Sequence, residues 1–170
     1  GVFDERRYFD QGADNQPLYR IGGVLVGVTV CEDVWVRRGP TEQVARDGAR
    51  VILNINASPF RSDRQTERES TVVERVERTG VPVAYVNQVG GQDDLIFDGG
   101  SMVVTPDGPL VRARRFVEDM VVVDLPLAAD ARPRRHVVDV SRSAPVQRPL
   151  LEPAGMAPSP DGPEELWEAL

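Results

Sequence analysis

The chain has 170 residues, 41% of them hydrophobic and 28% charged, which suffices for one domain with a sizeable core. Its formal net charge of -7 argues against nucleic acid or an anionic membrane as partner, and no run approaches the ~18 apolar residues of a membrane span. All 20 basic residues are arginine, so these residues supply no amine chemistry, and the single cysteine forms no internal disulfide, which fits a reducing cytoplasm.

Residues 1–20 are aromatic and acidic without a dominant period and read as a loop or short strand near the surface. Ile21-Gly22-Gly23 reads as a turn into residues 24–30, an apolar and largely β-branched run typical of a strand buried in a parallel sheet. That run ends in Cys31-Glu32-Asp33-Val34-Trp35, which puts the cysteine at a strand's carboxyl end, where open α/β sheets build their sites. By residue type alone, a small buried hydrophobe is the commoner role for such a cysteine. Residues 37–40 break the chain, and Thr41 is the predicted N-cap of a helix over roughly 42–49.

A second strand is predicted over 51–56, ending in the loop Ala57-Ser58-Pro59-Phe60. Ser62 and Gln65 fit a capping box, opening a helix with Val72, Val73 and Val76 on one face and Gly80 at its end. Residues 81–87 form a third apolar strand. Strand, helix, strand, helix, strand is the pattern of right-handed crossovers in a parallel sheet. Residues 88–94 read as a polar, glycine-rich loop, followed by strands over 101–105, 110–116 and 120–125. These are expected as antiparallel hairpins, giving a mixed sheet. From 128 the composition turns to proline, arginine and small residues, the mark of an extended arm, and at 162–167 a helix restarts with Pro163 at N1. Both ends read as cut, so a fragment of a longer protein is expected.

One cysteine and one histidine cannot build a zinc site, and no phosphate loop is present. Asp93-Asp94 reads as a solvated turn. His136 lies among arginines and valines in the proline-rich segment and makes a poor catalytic base. A nucleophilic Cys31 would therefore pass its proton to a carboxylate or to a group outside these residues. Ser58 and Arg64 follow the next parallel strand, so they belong on the same sheet edge as Cys31 and Glu32. Cysteine, carboxylate, hydroxyl and guanidinium together suit a zwitterionic amino acid; the plainer alternative is a loop serine and a solvated arginine.

Four stretches in order carry a more specific signal: Gly-Val-Phe-Asp-Glu-Arg-Arg-Tyr-Phe at 1–9, Cys-Glu-Asp-Val-Trp at 31–35, Asn-Ile-Asn-Ala-Ser-Pro-Phe at 54–60, and Asn-Gln-Val-Gly-Gly-Gln-Asp-Asp-Leu-Ile-Phe-Asp-Gly-Gly-Ser at 87–101. Over residues 1–127 the chain resembles the glutaminase domain of glutamine-dependent NAD synthetases, a branch of the nitrilase (carbon-nitrogen hydrolase) superfamily. The resemblance implies an α/β fold, a four-layer α-β-β-α sandwich incomplete here, and a Glu-Lys-Cys triad. Cys31 matches the nucleophile and Glu5 a supporting glutamate. Phe3, Glu32, Ser58 and Arg64 match positions lining the glutamine pocket, and the backbone N–H of Glu32 would help hold the oxyanion. The triad's lysine and general-base glutamate are expected upstream of Gly1.

The same resemblance divides the chain into part of a glutaminase domain (1–127), an arm (128–161) and a lead-in (162–170) to a synthetase domain. That domain would use ATP and Mg to adenylate nicotinic acid adenine dinucleotide before ammonia attacks it. No cofactor is expected in the glutaminase part, and the implied partners are glutamine, the synthetase domain and further copies of the chain. The loop over 88–98 is expected to help couple the two sites. A stand-alone amidase or nitrilase, or a truncated product without activity, are the alternatives.

Overall fold

Leu18–Ile21 (β1) turns back through Gly22 and Gly23, at φ 56° and 88°, to run antiparallel to Val24–Val30 (β2). Both turn residues occupy the left-handed region, which suits glycine because it carries no Cβ. A single 3₁₀ turn, Cys31–Val34, follows β2, and Pro40–Arg46 (α1) carries the chain over to Val51–Asn56 (β3). Arg64–Thr79 (α2) makes the second crossover, to Val83–Asn87 (β4). β2, β3 and β4 are parallel neighbours, with Val30 level with Ile55 and Ile55 level with Val86. Next come a separate hairpin, Val89–Gln92 (β5) with Leu95–Asp98 (β6), and the antiparallel strands Met102–Thr105 (β7) and Gly108–Arg112 (β8). Val137–Asp139 (β9) and Gly162–Glu168 (α3) complete the elements. The computed structural model describes residues 7–10, 12, 16–128, 132–141, 146, 148–150 and 154–170.

The main sheet has seven strands in the order β8-β7-β4-β3-β2-β1-β9, mixed as the sequence predicts. On one face Ile52, Val83 and Val104 pack with Val44 of α1 and with Val72 and Val76 of α2. Each such side chain, fully buried, contributes about 1.5–3 kcal/mol. Gly27 lets α1 approach, since a Cβ there would lie 2.7 Å from Val44 Cγ2. The opposite face carries the row Val30, Ile55 and Val86, which are 60%, 53% and 51% exposed. One helical layer and one main sheet are thus described.

Several local expectations fail for identifiable reasons. Thr41 does not cap α1: Gly39 holds that position with Pro40 at N1, and the Thr41 hydroxyl donates instead to the Asp33 carbonyl, 3.0 Å away. The Ser62 capping box is also absent, because Asp63 at φ 64° precedes α2 and Gln65 turns inward, its amide donating to the Gly100 carbonyl at 3.4 Å. Residues 88–94 are not a plain loop; they enter the β5–β6 hairpin, whose ladder is made by backbone groups and leaves no apolar period to read. Residues 120–125 form no strand, and Met120 is 85% exposed, so apolar composition found no pairing edge. The segment read as an arm contributes β9, which pairs in parallel with β1.

Candidate active site

Two loops at the carboxyl ends of β2 and β3 build the site, and α2 grips both. β2 delivers Cys31 at φ 45°, half-buried, at the start of the 3₁₀ turn. A side chain in the left-handed region costs about 1 kcal/mol or more, so the turn needs restraint. The Val30 N–H donates to Asp33 Oδ2 at 2.9 Å, and the Trp35 N–H donates to the Glu32 carbonyl at 2.8 Å. From α2, Arg75 Nε donates to the Val34 carbonyl at 2.8 Å and its Nη2 to the Trp35 carbonyl at 3.3 Å. Glu32 projects into solvent.

The second loop holds Ser58, which is buried. Its N–H donates to Asn87 Oδ1 at 2.9 Å, and its carbonyl accepts from Arg68 Nη2 at 2.9 Å. Arg68 also donates to Ser58 Oγ at 3.3 Å, to the Pro59 carbonyl at 3.1 Å and to Asp98 Oδ2 at 2.8 Å. Arg68 and Asp98 are both fully buried, so the pair persists because every remaining N–H finds a carbonyl or hydroxyl. The Phe60 N–H donates to the Ile96 carbonyl at 2.7 Å and ties the loop to β6.

Tyr85 of β4 lies between the two loops. Burial raises its phenol pKa, with Arg68, Ser58 and Arg64 opposing the rise and Cys31 adding to it. Beneath it, Asn56 Nδ2 donates to Asn54 Oδ1 at 2.8 Å, and Asn54 Nδ2 donates to Thr29 Oγ1 at 3.0 Å. This buried amide chain sets the polar floor under the strand ends.

Of the residues singled out in the sequence, Cys31 and Ser58 follow the adjacent parallel strands β2 and β3, Arg64 at the start of α2 reaches Trp35 beside the Cys31 turn, and Glu32 is exposed on that 3₁₀ turn. Arg64 is already engaged: its guanidinium lies 4.3 Å from the Trp35 ring centre and 2.6 Å from Glu67. Phe3 and Glu5 lie outside the described residues. Arg68, Arg75, Asn87 and Asp98 escaped the sequence reading. The signal for the two arginines was their spacing, since 68, 72, 75 and 76 fall on one stripe of a helix whose other members are valines. A charged residue on such a stripe has to be paired inside.

A carbon-nitrogen hydrolase family model matches residues 1–133. The chain is 39% identical over 183 residues to a glutamine-dependent NAD(+) synthetase of Aquifex aeolicus, an alignment that covers 99% of this chain and 32% of that protein. It therefore spans about a third of the length of that curated relative. Among solved structures, glutamine-dependent NAD+ synthetase from Acinetobacter baumannii, in complex with ADP, superposes with a TM-score of 0.69 at 30% identity, over 99% of this chain and 28% of that one. An amidase variant from Nesterenkonia sp. AN1, with the acetamide moiety of fluoroacetamide covalently added at its active-site cysteine, gives a TM-score of 0.58 at 30% identity, covering 65% of this chain and 41% of that one.

Proposed function

The chain belongs to the carbon-nitrogen hydrolase family, and from that premise we propose that it is part of the glutaminase domain of a glutamine-dependent NAD synthetase. Cys31 is the nucleophile. Its thiolate attacks the side-chain amide carbon of glutamine, the C–N bond breaks, and ammonia leaves with a proton delivered from the site. Water then attacks the glutamyl thioester, giving glutamate and restoring the thiol. The observation that carries this reading is the seat of Cys31, the single cysteine of the chain, at a strand's carboxyl end in a left-handed turn beside the buried Ser58 loop. The covalent adduct on the amidase cysteine supports the same chemistry here.

The remaining roles follow the resemblance. The N–H of Glu32 stabilises the oxyanion as it forms. Ser58, Arg64, Glu32 and Phe3 hold the amino acid, and Glu5 supports the proton relay. The triad's lysine comes from outside these residues, which contain none. ATP and Mg act in the synthetase domain, and no residue of 1–170 is assigned to them. The four-layer sandwich would be completed by a second sheet over the face that carries Val30, Ile55 and Val86.

In the complete natural polypeptide, Cys31→Ala abolishes glutamine-dependent NAD formation and spares the reaction supplied with ammonium, as measured by NAD production with either nitrogen source. Loss of both would overturn the reading. The 170-residue chain by itself should release no ammonia from glutamine. Turnover sensitive to Cys31→Ala would show that these residues carry a different, lysine-independent amidase.

A further inference from the structure

The charges behind Ser58 continue past Asp98. Arg115 donates to the same Asp98 Oδ2 through Nε at 3.1 Å and Nη2 at 2.9 Å. Its other side faces the C-terminal segment: Nη2 lies 2.7 Å from Glu165 Oε1 of α3, and Nη1 donates to Ser159 Oγ and the Pro160 carbonyl, each at 3.3 Å. Arg68, Asp98, Arg115 and Glu165 are all buried. Two positive and two negative groups balance while α3 is docked; without Glu165 the cluster carries an excess positive charge away from water, an unfavourable state.

Asp98 also has somewhere to send that excess. Its Oδ2 takes three N–H donors, whereas its buried Oδ1 accepts none among the described residues. Arg115, once released by Glu165, has a second carboxylate oxygen to close on as a fork. Arg68 shares that carboxylate and holds the Ser58 and Pro59 carbonyls with its remaining donors. Rings reinforce the link, because Phe116 packs edge-on against Phe60 at 5.5 Å and its N–H donates to the Asp98 carbonyl at 2.9 Å.

We propose that Glu165 is a positioning residue for the Ser58 loop: docked α3 completes the buried charge cluster, and its release draws Asp98 toward Arg115 and slackens the grip of Arg68 on Ser58. The consequence for substrate rests on the reading of Ser58 as a glutamine-pocket residue; the mechanical coupling does not.

Hydrogen exchange of the 170-residue chain, read by mass spectrometry, tests the coupling. Glu165→Gln keeps the side chain's size and removes its charge. It should speed exchange at the Ser58 and Phe60 amides about tenfold. Glu69→Gln is the control: it breaks the 2.6 Å pair with Arg112, which also holds the C-terminal segment through the Ala157 carbonyl, yet leaves the cluster whole. An unchanged loop in Glu165→Gln, or an equal response in both variants, would overturn the coupling. In the complete natural polypeptide, Glu165→Gln should raise the glutamine KM about tenfold and keep kcat within about twofold, the signature of weakened binding rather than damaged chemistry. A loosened loop with an unchanged KM would overturn the role of Ser58 in the pocket and leave the coupling standing.

Discussion

Cys31 occupies φ 45°, a conformation that most side chains avoid, and four hydrogen bonds around residues 30–35 keep it there. Strain of this kind belongs to the site and not to the stability of the sheet. Replacing the residue by glycine relieves it at the cost of a looser unfolded chain. Cys31→Gly should therefore hold stability or raise it by up to about 1 kcal/mol, whereas Cys31→Val should lower it by at least that much. Urea midpoints of the two variants decide the matter; a fall with glycine as large as that with valine would mean the turn is unstrained. The arrangement also explains the run of residue types. Asp33 sits two residues after the thiol because its carboxylate must reach back to the Val30 N–H.

Helix α2 is the element on which the site depends. Arg68 and Arg75 lie two turns apart on its buried stripe and hold one strand-end loop each. Arg78, one residue short of a further turn, clasps Glu42 of α1 with contacts of 2.8 and 3.2 Å. Hydrogen bonding from Arg78 is the main reason that the Glu42 carboxyl falls from 4.5 to about 2, against the opposing effect of burial. A carboxyl depressed in the folded state adds stability that is fully present above its unfolded pKa and is lost as pH falls through the folded value. Wild type should thus exceed Glu42→Gln by about 1–2 kcal/mol at pH 7, after allowance for the half-exposed Arg78, and the gap should close between about pH 4.5 and 2. Urea denaturation at a series of pH values reads this directly; a gap independent of pH would assign the effect to packing.

The same helix shows which parts of the fold were legible. Three apolar runs broken by two helical patterns declared the parallel strands β2, β3 and β4, because the packed face is apolar and the opposite face carries Val30, Ile55 and Val86 as well, so the runs are nearly continuous. Cys31 and Ser58 followed from that topology, since consecutive parallel strands end on one edge. What the pattern concealed was held by polar groups paired across long sequence distances. Arg68 meets Asp98, and Ser58 meets Asn87, through contacts with no local period. The β5–β6 hairpin was hidden for a related reason: its glycines contribute backbone pairing and no side-chain alternation.

At the scale of the whole molecule, the sheet is packed by helices on one face and presents β-branched residues to solvent on the other. Val30, Ile55 and Val86 are level across three adjacent strands and each more than half exposed, so they form a continuous apolar row rather than scattered surface residues. Such a row promotes association. Ile55→Glu should shift the 170-residue chain toward monomer in sedimentation velocity, with a urea midpoint close to wild type because the position is not in the packed core. An unchanged distribution of species would mean that another surface drives association.

The pairing of Arg20 with Asp139 puts the sheet's far edge under the control of two segments far apart in the sequence. Closing so long a loop is slow, and its entropy must be met before the ladder returns anything. During synthesis the central strands can therefore assemble while β1 still lacks its outer neighbour, and β9 is added only once residue 139 has emerged. The order of appearance leaves β1 as a temporary edge, open to pairing with another nascent chain for as long as the ribosome takes to reach residue 139.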